Sequence, residues 1–151
     1  MFLAVYDPAT NPLNSNEWIF PILELIHIPS FGIGIGTIAL VDVKLFGLGF
    51  GDQSAAKLLK DTIIYTVVAL TTAITTGLMI FTTDPYRYYY NHSFRVKVLF
   101  LTLALIFNFT VHNSVAKSAK ESTLATKLVA FISLFLWVGV VFGGLFYAFT
   151  D

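Results

Sequence analysis

The sequence predicts an all-α fold, an integral-membrane four-helix bundle of up-down-up-down topology. Three observations predict it. Hydrophobic residues make up 56 % of the 151 residues and charged residues 12 %, too few charges to clothe a soluble domain. Four stretches stay apolar for about 20 residues, the length a helix needs to cross a bilayer core. The connections between them run to about 15 residues at most, which makes consecutive helices antiparallel neighbours.

The same arithmetic excludes several classes. Mean hydropathy is +0.77, against an ordinary soluble enzyme or a disordered chain. Nine basic residues balance nine acidic ones, so the chain has no electrostatic footprint for nucleic acid. It contains no cysteine, which removes disulfides, thiolate metal sites, iron–sulfur clusters and cysteine nucleophiles.

Residues 1–151 read as one transmembrane domain. Residues 1–15 carry no Lys or Arg, and Asp7, Pro8, Asn11, Pro12 and Asn14 break any apolar run. They are expected to form a short arm or loop rather than a cleavable signal peptide. The first span is placed at 18–46. Pro21 suits a first helical turn, whereas Pro29 lies inside the run and is expected to kink it and free the carbonyl of Leu25. The second span is placed at 63–81, the third at 94–115 and the fourth at 124–149. No stretch outside the spans is long enough for a further domain, so any chemistry is expected within the bundle or at its rims.

Positive charge sets the expected orientation. Lys44, Lys57, Lys60, Lys117, Lys120 and Lys127 fall at one end of the spans, and Arg87, Arg95 and Lys97 at the other. The lysine-rich end is expected in the cytoplasm of a bacterium, with both termini on the periplasmic side of the inner membrane. Asp7, Glu17, Asp84 and Asp151 share that outer side. The outer loop 84–91 carries Tyr86, Tyr88, Tyr89 and Tyr90, a composition suited to an interfacial aromatic belt, with Trp18 at the same level.

Small residues recur at helical spacing. Gly32 and Gly36, Gly139 and Gly143, and the series Ala69, Ala73 and Gly77 each lie four apart. Such spacing predicts close helix packing, or else a slot for a flat cofactor where side chains are missing. The threonines of span two (Thr71, Thr72, Thr75 and Thr76) can bond back to the preceding turn and so are cheap to bury.

Ionisable residues within apolar spans are functional candidates by default. His27 lies ~13 Å into span one at 1.5 Å per residue, with Glu24 three residues earlier on nearly the same face. A carboxylate there is placed to fix the imidazole tautomer, as it does behind metal-ligating histidines. His112 stands near the inner end of span three, with Asn108 one turn earlier, and His92 opens that span. Three histidines in a chain this apolar point to iron in a porphyrin, held by imidazoles of facing helices. By depth, His27 and His92 suit one outer haem, with Arg87, Arg95 or Lys97 on its propionates. His27 and His112 lie roughly a dozen ångströms apart in depth, so His112 is otherwise the ligand of a second, inner site. Two of the histidines also have a plainer reading: His92 as an interfacial residue, His112 as an exposed helix-end residue. Asp42 and Lys44 read as interface anchors, Lys44 snorkelling and Asp42 pairing with a loop lysine.

These residues, in this order, carry a resemblance. They are His27 and its glycines, Asp42-Val-Lys-Leu-Phe-Gly47, Thr76-Gly-Leu-Met-Ile-Phe81, Asn91-His-Ser-Phe-Arg-Val-Lys97, Asn108-Phe-Thr-Val-His112 and Trp137. Over most of residues 20–145 the chain resembles a bacterial family of small four-helix membrane proteins. That family is distantly similar to the copper-resistance D and membrane cytochrome b superfamily. The resemblance implies a b-haem bundle, or a relative that has lost the haem, with His27 and His112 as the family-type histidines. Relatives often carry an arginine after the span-four glycines, where this chain has Leu145.

The leading functional expectation is therefore a haem b subunit passing electrons within a larger redox assembly, and not an enzyme by itself. Its site residues are His27, His112 and His92 as iron ligands, with Glu24, Arg95, Lys97 and Asn108 around the cofactor. The alternative is an accessory subunit of a respiratory or photosynthetic complex, either cofactor-free or holding a chlorophyll-type pigment through one imidazole. The partners expected are the lipid bilayer and a larger complex or a second copy of the chain. Transport or metal uptake ranks third, because the chain has no cysteine and only Met1 and Met79 to hold a soft metal.

Overall fold

The computed structural model describes residues 6–147 and residue 149; the expectations that fell on Met1 and Asp151 lie outside them. Among the described residues there is no strand, and six helices appear: α1 (Ile19–Leu45), α2 (Ala55–Thr83), α3 (Pro85–Tyr90), α4 (His92–Phe107), α5 (Asn113–Ser118) and α6 (Leu124–Tyr147). A π-helical turn, Asn108–His112, joins α4 to α5. Residues 92–118 thus form one rod, and four helices are long and apolar enough to cross a membrane.

The expected spans are all present, with instructive differences. α2 begins at Ala55 rather than 63, because Lys57, Lys60 and Asp61 end an apolar run without ending a helix. The Ser54 hydroxyl accepts from the Lys57 N–H and caps the start. α1 runs unbroken through Pro29. The tyrosine segment is a helix instead of a loop. Asp84 caps it by accepting from the Arg87 N–H, and Asn91 ends it and caps α4 by accepting from the Phe94 N–H. Tyr88 turns inward from this helix, while Tyr86, Tyr89 and Tyr90 stay exposed.

Before α1, the chain makes two short 3₁₀ turns, each capped by an Asx side chain at Asp7 and Asn11. Tyr6 and Asn11 donate to the Thr82 carbonyl, and Asn14 to that of Thr83. These side chains satisfy carbonyls that the end of α2 leaves without helical partners.

Contacts fix helix direction. Between α1 and α2, Thr37 meets Thr66 at 2.8 Å and His27 meets Ala73 at 2.8 Å. One number falls as the other rises, so the pair is antiparallel. A Cβ on Gly34 would lie 2.7 Å from Leu70 Cδ2, which is how closely the two helices approach. α4 and α6 also run antiparallel: Gly139 lies against Phe100, and Gly143 against the backbone of Lys97. α1 meets α6 through Leu45, whose carbonyl accepts from Thr126 Oγ1 at 3.1 Å, and through Phe31 against Trp137.

Two apolar clusters fill the interior. Val41, Leu45, Leu58, Ala116 and Ala130 pack at the lysine-rich end; Ile38, Leu70, Ala104, Trp137 and Val140 pack in the middle. The outside is apolar as well, with Leu25 72 % and Phe131 61 % exposed.

Of the expected small-residue contacts, Gly139 and Gly143 are at an interface. Gly32 and Gly36 are not: both are exposed, and a Cβ on either would meet nothing within 4 Å. α1 instead presents Gly34 to α2, two residues round the helix. Accordingly, Gly139→Ala is expected to cost about 1–3 kcal/mol through overpacking against Phe100. Gly36→Ala is expected to be neutral or to stabilise by up to about 1 kcal/mol. Equilibrium unfolding in mixed micelles checks the pair, and equal costs would contradict the α4–α6 contact.

Candidate functional site

The end of the bundle opposite the lysine-rich end holds a cavity of about 610 Å³, within the range of small-molecule and cofactor sites. Its walls are mostly apolar, among them Phe31, Leu70, Ile74, Phe81 and Leu101. Its polar groups are few: Glu24 and His27 from α1, Arg95 and Lys97 from α4, and the phenols of Tyr88, Tyr89 and Tyr147. Tyr88 and Tyr147 stack at 5.0 Å near the rim. Burial pushes the Tyr88 phenol well above its ordinary pKa, so it remains a neutral hydroxyl.

His27 is held by α2. Its Nδ1 lies 2.8 Å from the Ala73 carbonyl and 3.2 Å from Thr76 Oγ1. A carbonyl only accepts, so Nδ1 carries the proton. The Thr76 hydroxyl sends its own proton to the Thr72 carbonyl at 2.8 Å and is left to accept as well. In the neutral imidazole, Nε2 then keeps its lone pair. Gly77 makes the seat: a Cβ there would lie 2.9 Å from His27 Cε1. Phe31 stacks parallel to the imidazole, its plane 6° away. An imidazole tied to a backbone carbonyl through Nδ1–H, with Nε2 free, is how metal-ligating histidines are oriented.

Sequence reasoning expected Glu24 to fix this tautomer. Glu24 lines the cavity, but the Nδ1 proton goes across to α2, whose carbonyl the close α1–α2 packing brings nearer. Arg95 and Lys97 line the cavity as expected. His92 does not: it is an exposed residue in the first turn of α4, outside the lining. The expected His27–His92 pair is therefore not assembled, and His27 is the one histidine among the lining residues.

His112 belongs to a different site. Its Nε2 lies 2.8 Å from Asp42 Oδ1, and the Ser133 hydroxyl donates to Asp42 Oδ2 at 2.8 Å. Asp42 is 0 % and His112 1 % exposed. This corrects two expectations. Asp42 pairs with His112 rather than a loop lysine, because it lies on the buried face of α1 with Ile38 and Leu45. His112 is not an exposed helix end, because the helix continues to Ser118 and the π turn aims the imidazole inward. Its Nε2 is engaged by Asp42, its Nδ1 lies 3.4 Å from Asn113 Oδ1, and the ring stands outside the cavity lining. Asn108 is buried one turn earlier, also outside the cavity lining, and its Oδ1 has no hydrogen-bond partner among the described residues. Lys44 donates to the Gly51 carbonyl at 2.8 Å.

Ser133, Thr76, the Ala73 carbonyl and the seat at Gly77 were not singled out as site groups from the sequence. A lone serine inside a phenylalanine-rich span was the available signal for Ser133. Nothing local marks a carbonyl that serves a histidine 46 residues away.

Removing one member of a buried pair strands the other. Asp42→Leu is expected to destabilise by about 3–5 kcal/mol, and Ser133→Ala by about 1–3 kcal/mol. The Asp42→Leu/His112→Leu double variant is expected to cost clearly less than the sum of the two singles. Unfolding of the four proteins measures the coupling, and additive losses would mean that the pair does not act as a unit.

No curated protein and no solved structure matches this chain. Residues 21–150 match the model of a family of unknown function (DUF6644), and the chain belongs to that family.

Proposed function

We propose that the protein is a multi-pass subunit of the bacterial cytoplasmic membrane that holds one haem b in the outer cavity and passes electrons within a larger redox assembly. On this reading it is a relative of the membrane cytochrome b and copper-resistance D proteins. The four long helices cross the bilayer up-down-up-down, both termini lie on the periplasmic side, and the six-lysine end faces the cytoplasm. The apolar exterior supports insertion, since lipid leaves no backbone group unpaired only in helices or closed barrels.

The observation that carries the reading is His27: an imidazole with Nδ1–H bound to Ala73 and Nε2 unbonded, on the wall of an apolar cavity. His27 would hold the iron through Nε2, Arg95 and Lys97 are the cations on the same wall, and Phe31, Phe81 and Leu101 would exclude water. A bound haem supplies one-electron redox chemistry. The protein's part is to fix the imidazole plane, lower the polarity around the metal and bring the site within the membrane.

A second reading has one observation in its favour. One histidine on the cavity wall also suits a chlorophyll-type pigment, whose magnesium takes a single imidazole. The chain would then be an accessory subunit of a photosynthetic or respiratory complex. The same spectrum separates the two.

Purified protein is expected to show a reduced spectrum with sharp Soret and alpha bands. His27→Ala is expected to lose them and His112→Ala to keep them. Gly77→Ala is expected to weaken cofactor retention roughly tenfold, by pushing the ring off its seat. A pigment spectrum would move the assignment to the second reading. A flat spectrum from folded, haem-supplied protein would end both cofactor readings.

A further inference from the structure

The charges on the cavity wall are not matched to one another. α4 brings Arg95 and Lys97, and α1 brings Glu24, so two cations face one carboxylate. Arg95 is exposed and can draw its counter-ion from outside, whereas Lys97 is half-buried. Among the described residues Lys97 makes no hydrogen bond and no ion pair. An ammonium withdrawn toward an apolar wall is unfavourable until a counter-charge reaches it.

The path of the Lys97 side chain is built rather than incidental. A Cβ on Gly143 would lie 2.9 Å from the Lys97 N, Cα and Cβ atoms, so glycine there lets α4 press against α6. At Gly144 a Cβ would stand 3.6 Å from Cε and Nζ. The side chain therefore runs over the two glycines and ends beside Gly144, which itself lines the cavity. Across the cavity, His27 offers the opposite chemistry, an electron pair on Nε2. The two demands are met together by one molecule that has an electron-pair acceptor in an apolar body and an anionic arm.

We propose that Lys97 is the anion-receiving group of this cavity and that the occupant carries a carboxylate arm. The inference deepens the functional reading above and rests on its claim that the cavity is a ligand site, but not on the ligand being a haem. Gly143 and Gly144 act through Lys97 as positioning residues.

The test uses iron protoporphyrin IX, which bears two propionates, and its dimethyl ester, each titrated into the full chain in nanodiscs and followed by absorption. Wild type is expected to favour the free acid about tenfold. Lys97→Met, which keeps the length of the stem, is expected to lose that tenfold for the acid and leave the ester unchanged; Lys97→Arg is expected to retain it. Lys97→Gln serves if the Met variant does not fold. Equal binding of acid and ester by wild type, or an equal loss of both in the variant, would overturn the proposal while leaving the haem reading in place. If neither porphyrin binds, the haem reading falls, and spin-labelled stearate with its methyl ester decides the proposal on the same variants. An acid preference that disappears with Lys97 supports it, and the absence of any preference overturns it.

Discussion

The arrangement depends on one buried carboxylate. Asp42 is closed off from water and accepts from Ser133 with one oxygen while the other faces His112. Those partners come from α1, α6 and the rod made by α4 and α5. A carboxylate in an apolar interior is tolerated only when its lone pairs are taken up with good geometry. The three helices are therefore held in one register at the lysine-rich end. The apolar cluster of Val41, Leu45, Ala116 and Ala130 closes around that point. The π turn belongs to the same constraint: an extra residue in the turn between Asn108 and His112 alters which side chains of the rod face inward. It delivers His112 to Asp42 while leaving the apolar face of α4 directed at α6.

With the lysine-rich end pinned, the opposite end is free to stand apart. α1 and α2 approach closely where small or polar groups meet, from Thr37–Thr66 to His27–Ala73. α4 and α6 do the same through Gly139 and Gly143. The bundle is thus two tight antiparallel pairs. They join closely at the lysine-rich end and in the middle, where Trp137 meets Phe31. Beyond Phe31 and Leu101 the pairs stand apart around the half-open cavity, with His27 on its wall from one pair and Lys97 from the other.

Much of the fold was legible in the sequence because helices long and apolar enough to cross a membrane announce themselves, and all four expected ones are present. Their boundaries were less legible. Hydropathy marks where charge begins, and helices such as α2 continue past it under a serine cap. The tyrosine segment was misread because its composition suits an interfacial loop, while Asp84 and Asn91 cap a helix across it. Candidate residues divided along the same line. His27, Lys97, Arg95 and Glu24 were recognisable because each is an ionisable group in an apolar span, and they do line one cavity. Which of them touch was not recognisable. The partner of His27 is a backbone carbonyl, and the partner of His112 lies 70 residues away on another helix. Spacing along a chain carries no information about such pairs.

The stripe Ala69, Ala73 and Gly77 admitted two readings from its spacing, helix packing or room for a cofactor, and the structure merges them. Ala69 and Ala73 are buried where α2 packs in the bundle. Gly77 lies under the imidazole of His27. The shared feature is the short distance between the helix axes, which a larger side chain anywhere on the stripe would increase. That distance also sets the hydrogen bond, because it brings the Ala73 carbonyl within 2.8 Å of His27 Nδ1. Had α1 stood farther off, His27 would have turned to Glu24 or to water, and its tautomer would have been left to chance. The small residues therefore act on the site through the backbone. They let a rigid helix, rather than a carboxylate, decide which nitrogen of His27 holds the proton and which keeps its lone pair.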